Sequence, residues 1–166
     1  MGSPCIDKGS NAAAGIQTTD YEGDPRPSGA SADIGVDEHY SHLYQSTSTA
    51  PRPLSTVGFG LIGEPGLPYQ AASSLGTGPI PIGTRQLNLS WDAVFVTSVY
   101  GLAPTVFVNY SGVIDQQKGT AQASLNIPNI AALVGIDIHT AFVTVSGAAP
   151  SVIKSISNTF SFSITK

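Results

Sequence analysis

The sequence predicts an all-β chain: an antiparallel β-sandwich of immunoglobulin-like or jelly-roll-like kind, preceded by a loop-rich N-terminal segment. Three observations carry this. Apolar and polar residues alternate with period two in segment after segment of the 166 residues, the pattern of strands with one buried face. Gly and Pro, 18 and 12 in number, fall between most of those segments and break helical continuity. Charged residues are only 11% of the chain, less than half the usual share of roughly 25%, which leaves a profile of many short strands and turns.

The elements follow in chain order. Residues 1–45 mix turn residues, acids and single apolar side chains too tightly for a regular sheet or helix of their own. Ser46-Thr47-Ser48-Thr49-Ala50-Pro51-Arg52-Pro53 has no apolar period and reads as a linker, extended where each residue precedes Pro. The division is therefore 1–45, a linker at 46–53, and a sandwich over 54–166. Leu87, Leu89 and Trp91 alternate with Gln86, Asn88 and Ser90, and Val106, Val108 and Tyr110 with Phe107 and Asn109. Each set predicts a half-buried strand. Asp115-Gln116-Gln117-Lys118-Gly119 reads as a hairpin turn closing on a glycine, followed by a strand with Ala121, Ala123, Leu125 and Ile127 on one face. Ile130 to Val134 is the only run expected to turn helically. Pro128 before it and Gly135 after it limit it to about one turn. Ile136 to Val145 is apolar on both faces for much of its length, as a central strand would be. Phe160, Phe162 and Ile164 close the chain with a last alternating strand. About 110 residues of this kind suffice for a single independent core.

Charge excludes some partners. Residues 1–40 hold Asp7, Asp20, Glu22, Asp24, Asp33, Asp37 and Glu38 against Lys8 and Arg26, a balance of −5, whereas 41–166 is close to neutral at +1. No basic cluster or Arg-aromatic stripe marks a nucleic-acid surface. No run of 18 or more apolar residues occurs, so no membrane span is expected. Met1-Gly2-Ser3 lacks the basic start and apolar run of a signal peptide. Cys5 is the one cysteine, so an internal disulfide framework is excluded.

Two stretches resemble known families. Ser3-Pro4-Cys5-Ile6-Asp7-Lys8-Gly9, then Asp20-Tyr21-Glu22-Gly23-Asp24-Pro25-Arg26-Pro27, then Asp33-Ile34-Gly35-Val36-Asp37-Glu38, resemble the closing segment of secreted bacterial right-handed parallel β-helix proteins of the choice-of-anchor kind. Gly63-Glu64-Pro65-Gly66-Leu67-Pro68, the loop from Leu75 to Gly83, Leu125-Asn126-Ile127-Pro128, Leu133-Val134-Gly135 with Ile138 to Phe142, and Ser155-Ile156-Ser157-Asn158 look like a C-terminal β-sandwich domain of exported planctomycete proteins. Phe142 departs from that pattern, which often has Gln-Trp there. The resemblances imply a β-helix terminal rung and cap over 1–45, hence the tail of something longer, with upstream rungs as its partner. They imply a secreted or cell-surface bacterial setting. The work expected is structural or attachment, without catalysis and without a cofactor. The alternative from another class is a carbohydrate-binding accessory module of a polysaccharide lyase or glycoside hydrolase, with extracellular polysaccharide or the cell envelope as partner.

Candidate chemistry is sparse. Asp20, Glu22 and Asp24 place three carboxylates at alternate positions, a spacing able to converge on Ca²⁺. Their order departs from an EF-hand, and a structural turn in which Asp20 and Asp24 accept their own backbone N–H groups accounts better for them. Asp33, Asp37 and Glu38 suggest a carboxylate pair for glycoside cleavage, against which capping of the last rung is preferred. His39 and His42 offer two imidazoles but no evident third ligand, so a solvated pair is expected, and His139 reads as a satisfied core or surface histidine. Cys5 reads as a small buried apolar residue. Trp91, Tyr69, Tyr100, Phe107 and Tyr110 are the planar side chains on which a sugar ring could stack, Trp91 and Tyr100 being the ligand candidates. Because Leu87 and Leu89 share a face with Trp91, burial in the core is the favoured reading of these rings.

Overall fold

The structure is a computed structural model that describes residues 5, 8–13, 15, 17–18, 31–32, 34, 41–47, 50–83, 85–147, 149 and 152–166. It is all-β with antiparallel sheets. The elements are β1 (His42–Gln45), β2 (Thr56–Ile62), β3 (Pro68–Ser74), β4 (Ile80–Ile82), β5 (Arg85–Leu87), α1 (Ala93–Val99), β6 (Phe107–Val108), β7 (Ser111–Val113), β8 (Thr120–Asn126), a 3₁₀ turn (Ala131–Leu133), β9 (Asp137–Val145), β10 (Ile153–Ile156) and β11 (Phe160–Ser163). One sheet has the order β1-β2-β8-β6, and β4 pairs with β5 in a small ribbon. In the other sheet β9 pairs with β3 on one side, β3 pairs on with β7, and β10 and β11 both join β9.

Period-two alternation determines which side chains meet between the sheets. Val57, Phe59 and Leu61 of β2, with Ala123 and Leu125 of β8, pack in one core with Tyr69 and Ala71 of β3 and Ile138 and Phe142 of β9. Phe160 and Phe162 of β11 pack against it, their rings 6.3 and 6.4 Å from that of Phe59. The arrangement is sandwich-like. β9 carries apolar side chains on both faces because both are covered: Ala141 and Val143 join Ala72, Leu87, Leu89 and Phe95 in a second core. That second layer is built by the β4–β5 ribbon and α1.

α1 is where the sequence reading is corrected. Ala93 to Val99 contains three Val and one Thr, residues of modest helix propensity, and the stretch from Leu87 to Trp91 reads as a strand. Instead β5 ends at Leu87 and a helix starts at Ala93. Asp92 is its N-cap, its Oδ1 accepting from Phe95 N at 2.9 Å, a contact that typically contributes about 1 kcal/mol. Phe95 and Ser98, one turn apart, are its buried residues, and Ser73 N donates to Ser98 Oγ at 3.0 Å. Tertiary burial thus overrides local propensity. The 3₁₀ turn at Ala131–Leu133 appears where expected, ended by Gly135 at φ +85°.

Two further expectations change. His42–Gln45 precedes the stretch read as a linker, yet pairs along its full length with β2. Leu43 is buried in the main core. Asn158 clamps that strand: its Oδ1 accepts from Leu43 N at 2.8 Å and its Nδ2 donates to Leu43 O at 3.0 Å, so one carboxamide does the work of a facing peptide group. Described residues that follow it are tied to the two sheets, with Thr165 N donating to Pro51 O and Leu54 N to Ile127 O. The turn at 115–119 does close on Gly119, at φ +66°, but its flanking strands belong to different sheets: β7 pairs with β3 and β8 with β2. It is a crossover between layers. Part of the expected loop from Leu75 to Gly83 is strand β4, a ribbon strand in which Pro81 is tolerated.

The core also holds hydroxyls. Thr140 and Thr144 of β9 are fully buried at positions the pattern gives to apolar residues. Ser73 Oγ lies 2.8 Å from both Tyr110 Oη and Thr140 Oγ1, and Ser155 Oγ lies 2.5 Å from both Thr144 Oγ1 and Ser41 Oγ. Each chain of hydroxyls satisfies its own members, which is the condition for burying them at little net cost. Burial raises the ionisation range of the Tyr110 phenol strongly and that of Tyr69 as well.

Ahead of β1, Gly9 N donates to Ala32 O at 2.7 Å and Ile34 N to Cys5 O at 2.9 Å. These two bonds run in an antiparallel sense, and Ala32 is buried and Cys5 half-buried. Asp20, Glu22 and Asp24, the Ca²⁺ candidates, lie outside the described residues, as do Asp33, Asp37, Glu38 and His39.

Candidate functional site: an aromatic flank and an apolar end

Two features of the fold stand apart from its packed interior. The first is the flank around α1. Trp91 is 66% exposed and Tyr100 67% exposed, one before the helix and one at its C-cap. The seven helical residues between them span roughly 10 Å at 1.5 Å per residue. The preference for burying the indole in the core is therefore overturned, because the strand ends at Leu87 and Asp92 redirects the chain into a helix. Trp91 is held in place from below: its ring centroid lies 5.1 Å from that of Phe95, tilted by 42°, and Phe95 is itself buried. Asp92 secures the approach as well, its Oδ2 accepting from Leu75 N at 2.7 Å. Leu102 continues the exposed apolar surface beyond Tyr100. The other three aromatics do fill the interior: Tyr69 and Tyr110 are buried, and Phe107 is half-buried with its ring 5.1 Å from that of Tyr110.

The second feature is a cavity of about 190 Å³ at one end of the two sheets. Its walls come from the ends of β3, β6 and β8, the start of β9, the residue after β11, α1 and the turn at 128–136; they include Ser73, Val94, Leu125, Leu133, Ile138 and Ile164. Sequence reading treats these as core, and their alternation gives no sign of a gap. The signal that could have found it is the break from Pro128 to Gly135, which interrupts β-pairing where two sheets would otherwise meet. Ile130 and Leu75, each 50% exposed, lie at its opening.

The remaining candidates are not brought together. His42 is exposed on β1, its ring stacked 6.3 Å from that of Tyr44. The Tyr44 ring covers Gly60, where a Cβ would come within 2.2 Å of it. His139 is half-buried, its Nδ1 2.7 Å from Ser161 Oγ, as a satisfied surface histidine. Among the described residues no group of three His, Cys, Asp or Glu side chains is placed to hold a metal ion, and no helix is long and apolar enough to cross a membrane. Arg85 ties β5 to β10 by donating to Ile153 O at 2.6 Å and Lys154 O at 2.8 Å. Comparison with family models, curated proteins and solved structures finds no match to this chain.

Proposed function

We propose that this chain is a non-catalytic attachment module of an exported bacterial protein, holding the end of that protein to extracellular polysaccharide or the cell envelope through the α1 flank. The observation that carries the reading is the display of Trp91 on a buried Phe95. A ring fixed from beneath loses little conformational freedom when a ligand covers its outer face, so its apolar area is spent on contact. Sugar rings present flat patches of C–H to such a face, and Tyr100 at the other end of the helix offers a second platform. The β-sandwich assignment belongs to the same reading, supported by two antiparallel sheets sharing one core. So does a terminal β-helix rung ahead of β1, supported by the residues quoted for the resemblance.

Binding to insoluble and soluble bacterial polysaccharides, measured by pull-down and affinity electrophoresis, tests it. Trp91→Ala is expected to weaken retention at least tenfold, the size of an aromatic hot spot of about 2 kcal/mol, with thermal unfolding unchanged. Retention unaltered by Trp91→Ala and Tyr100→Ala together would overturn it. The second reading, an accessory module of a polysaccharide lyase or hydrolase, rests on the same exposed rings. It differs in requiring that the parent protein cleave the polysaccharide the flank retains.

A further inference from the structure

We propose that the apolar end of the sandwich is a binding site for a small neutral hydrocarbon group, a single ring or an alkyl chain of similar bulk. This goes beyond the attachment reading and does not depend on it.

The composition of the walls comes first. Twelve of the thirteen residues that line the cavity are apolar, and the thirteenth, Ser73, is fully buried with its hydroxyl turned to Tyr110 and Thr140. The hydroxyl chain behind the wall is thus occupied with itself. A water molecule needs two to four polar partners to be held in a cavity, and these walls have none to give. Among the described residues no charged side chain lines the cavity, so a charged ligand would lose its hydration with nothing in return.

Size decides the rest. An apolar cavity of about 150 Å³ stays dry and accepts benzene, so the 190 Å³ here matches one ring or a short alkyl chain and is too narrow for a helix or strand of a partner. The space is reachable, because Leu75, Ile130 and Ile136 at its opening are exposed. Leu75 and Val94 also place the opening beside α1, so a ligand whose hydrocarbon group enters the cavity keeps its remaining atoms in solvent on that side of the molecule.

Methyl resonances of the full chain, followed while benzene is added, provide the test. The expected result is saturable shifts at Leu125, Ile130, Leu133, Ile138 and Ile164, with Ile114 at the opposite end unmoved. Benzoate at neutral pH is expected to bind at least about tenfold more weakly than benzene, since its charge would be buried unpaired. Leu133→Trp, which fills the cavity from a half-buried position, is expected to weaken benzene by a similar factor, and Trp91→Ala to leave it within about twofold because the sites share no lining residue. Shifts that do not saturate, that reach Ile114 equally, or that benzoate reproduces at the same concentration would each overturn the proposal. The benzoate comparison uses the unaltered chain, so it decides the matter even if Leu133→Trp does not fold. Loss of polysaccharide retention with benzene binding intact would sink only the attachment reading.

Discussion

The two ends of the paired sheets are built from the same strands and finished in opposite ways. At one end the loop at 63–67 interlocks with the crossover at 114–119: Gly63 N donates to Gly119 O, Gly66 N to Ile114 O, and Ile114 N to Leu67 O. Ile114 is fully buried as a plug, within reach of Gly63, where even a Cβ would lie 3.5 Å from its side chain. At the other end the turn through Pro128 to Gly135 is also tied by backbone bonds, Gly135 N to Ile164 O and, beside it, Thr165 N to Pro51 O, but no side chain plugs the gap, and the space between the sheets remains open and apolar. The comparison teaches that closure of a pair of packed sheets depends less on the alternation of its strands, or on the backbone bonds that tie the loops at both ends, than on whether a loop carries an aliphatic side chain such as Ile114 into the gap. Where it does, that side chain fills the end; where it does not, the core residues line a cavity.

The sharpest way to break this comparison is at the plug. Ile114→Ala is expected to lower stability by about 2–5 kcal/mol, the range for removing a fully buried aliphatic side chain where neighbours cannot collapse, read as the midpoint of urea unfolding. A loss under about 1 kcal/mol would mean that the closed end relaxes, and the contrast between the ends would disappear.

A smaller effect is expected midway, at the hydroxyl chain behind the cavity wall. Tyr110→Phe removes the bond to Ser73 and should cost about 1 kcal/mol near pH 7. It should also alter the alkaline limb. Burial raises the folded-state ionisation range of Tyr110 above its usual value, so its contribution is fully present below about pH 10, the unfolded value. That contribution is lost as pH rises from there toward the folded value, because the unfolded chain ionises first. Urea midpoints measured between pH 8 and pH 11 are expected to fall less steeply for Tyr110→Phe than for the unaltered chain. Parallel limbs would show that this phenol carries none of the alkaline dependence.

The smallest effect belongs to the open end. Leu133→Ala trims a half-buried side chain that already borders empty space, so a loss within about 1 kcal/mol is expected from the same urea experiment. A cost equal to that of Ile114→Ala would show the two ends to be equally packed.

Much of the scaffold was legible before any coordinates. The faces of β8 and β11, the central place of β9, the single 3₁₀ turn and the glycine of the 115–119 turn all follow from local alternation and from Gly and Pro. These are properties of a few neighbouring residues, and short-range sterics determines them. The site was less legible. The N-cap signal of Asp92 was present in the sequence, but the alternation through Leu89 drew Trp91 into the core. Only its own packing reveals that the indole is outside.

By itself, then, the sequence determined that this chain makes strands, where most of them lie, and which face of each is apolar, because backbone geometry and side-chain alternation are local. Tertiary structure alone decided which sheet each strand joins, that a Val-rich segment coils into α1, that Asn158 stands in for a strand at the edge of β1, and that one end stays open. Each of those outcomes rests on contacts between residues far apart in the chain, such as Asn158 with Leu43 or Ser73 with Thr140, and no local pattern records which distant group will arrive to make them.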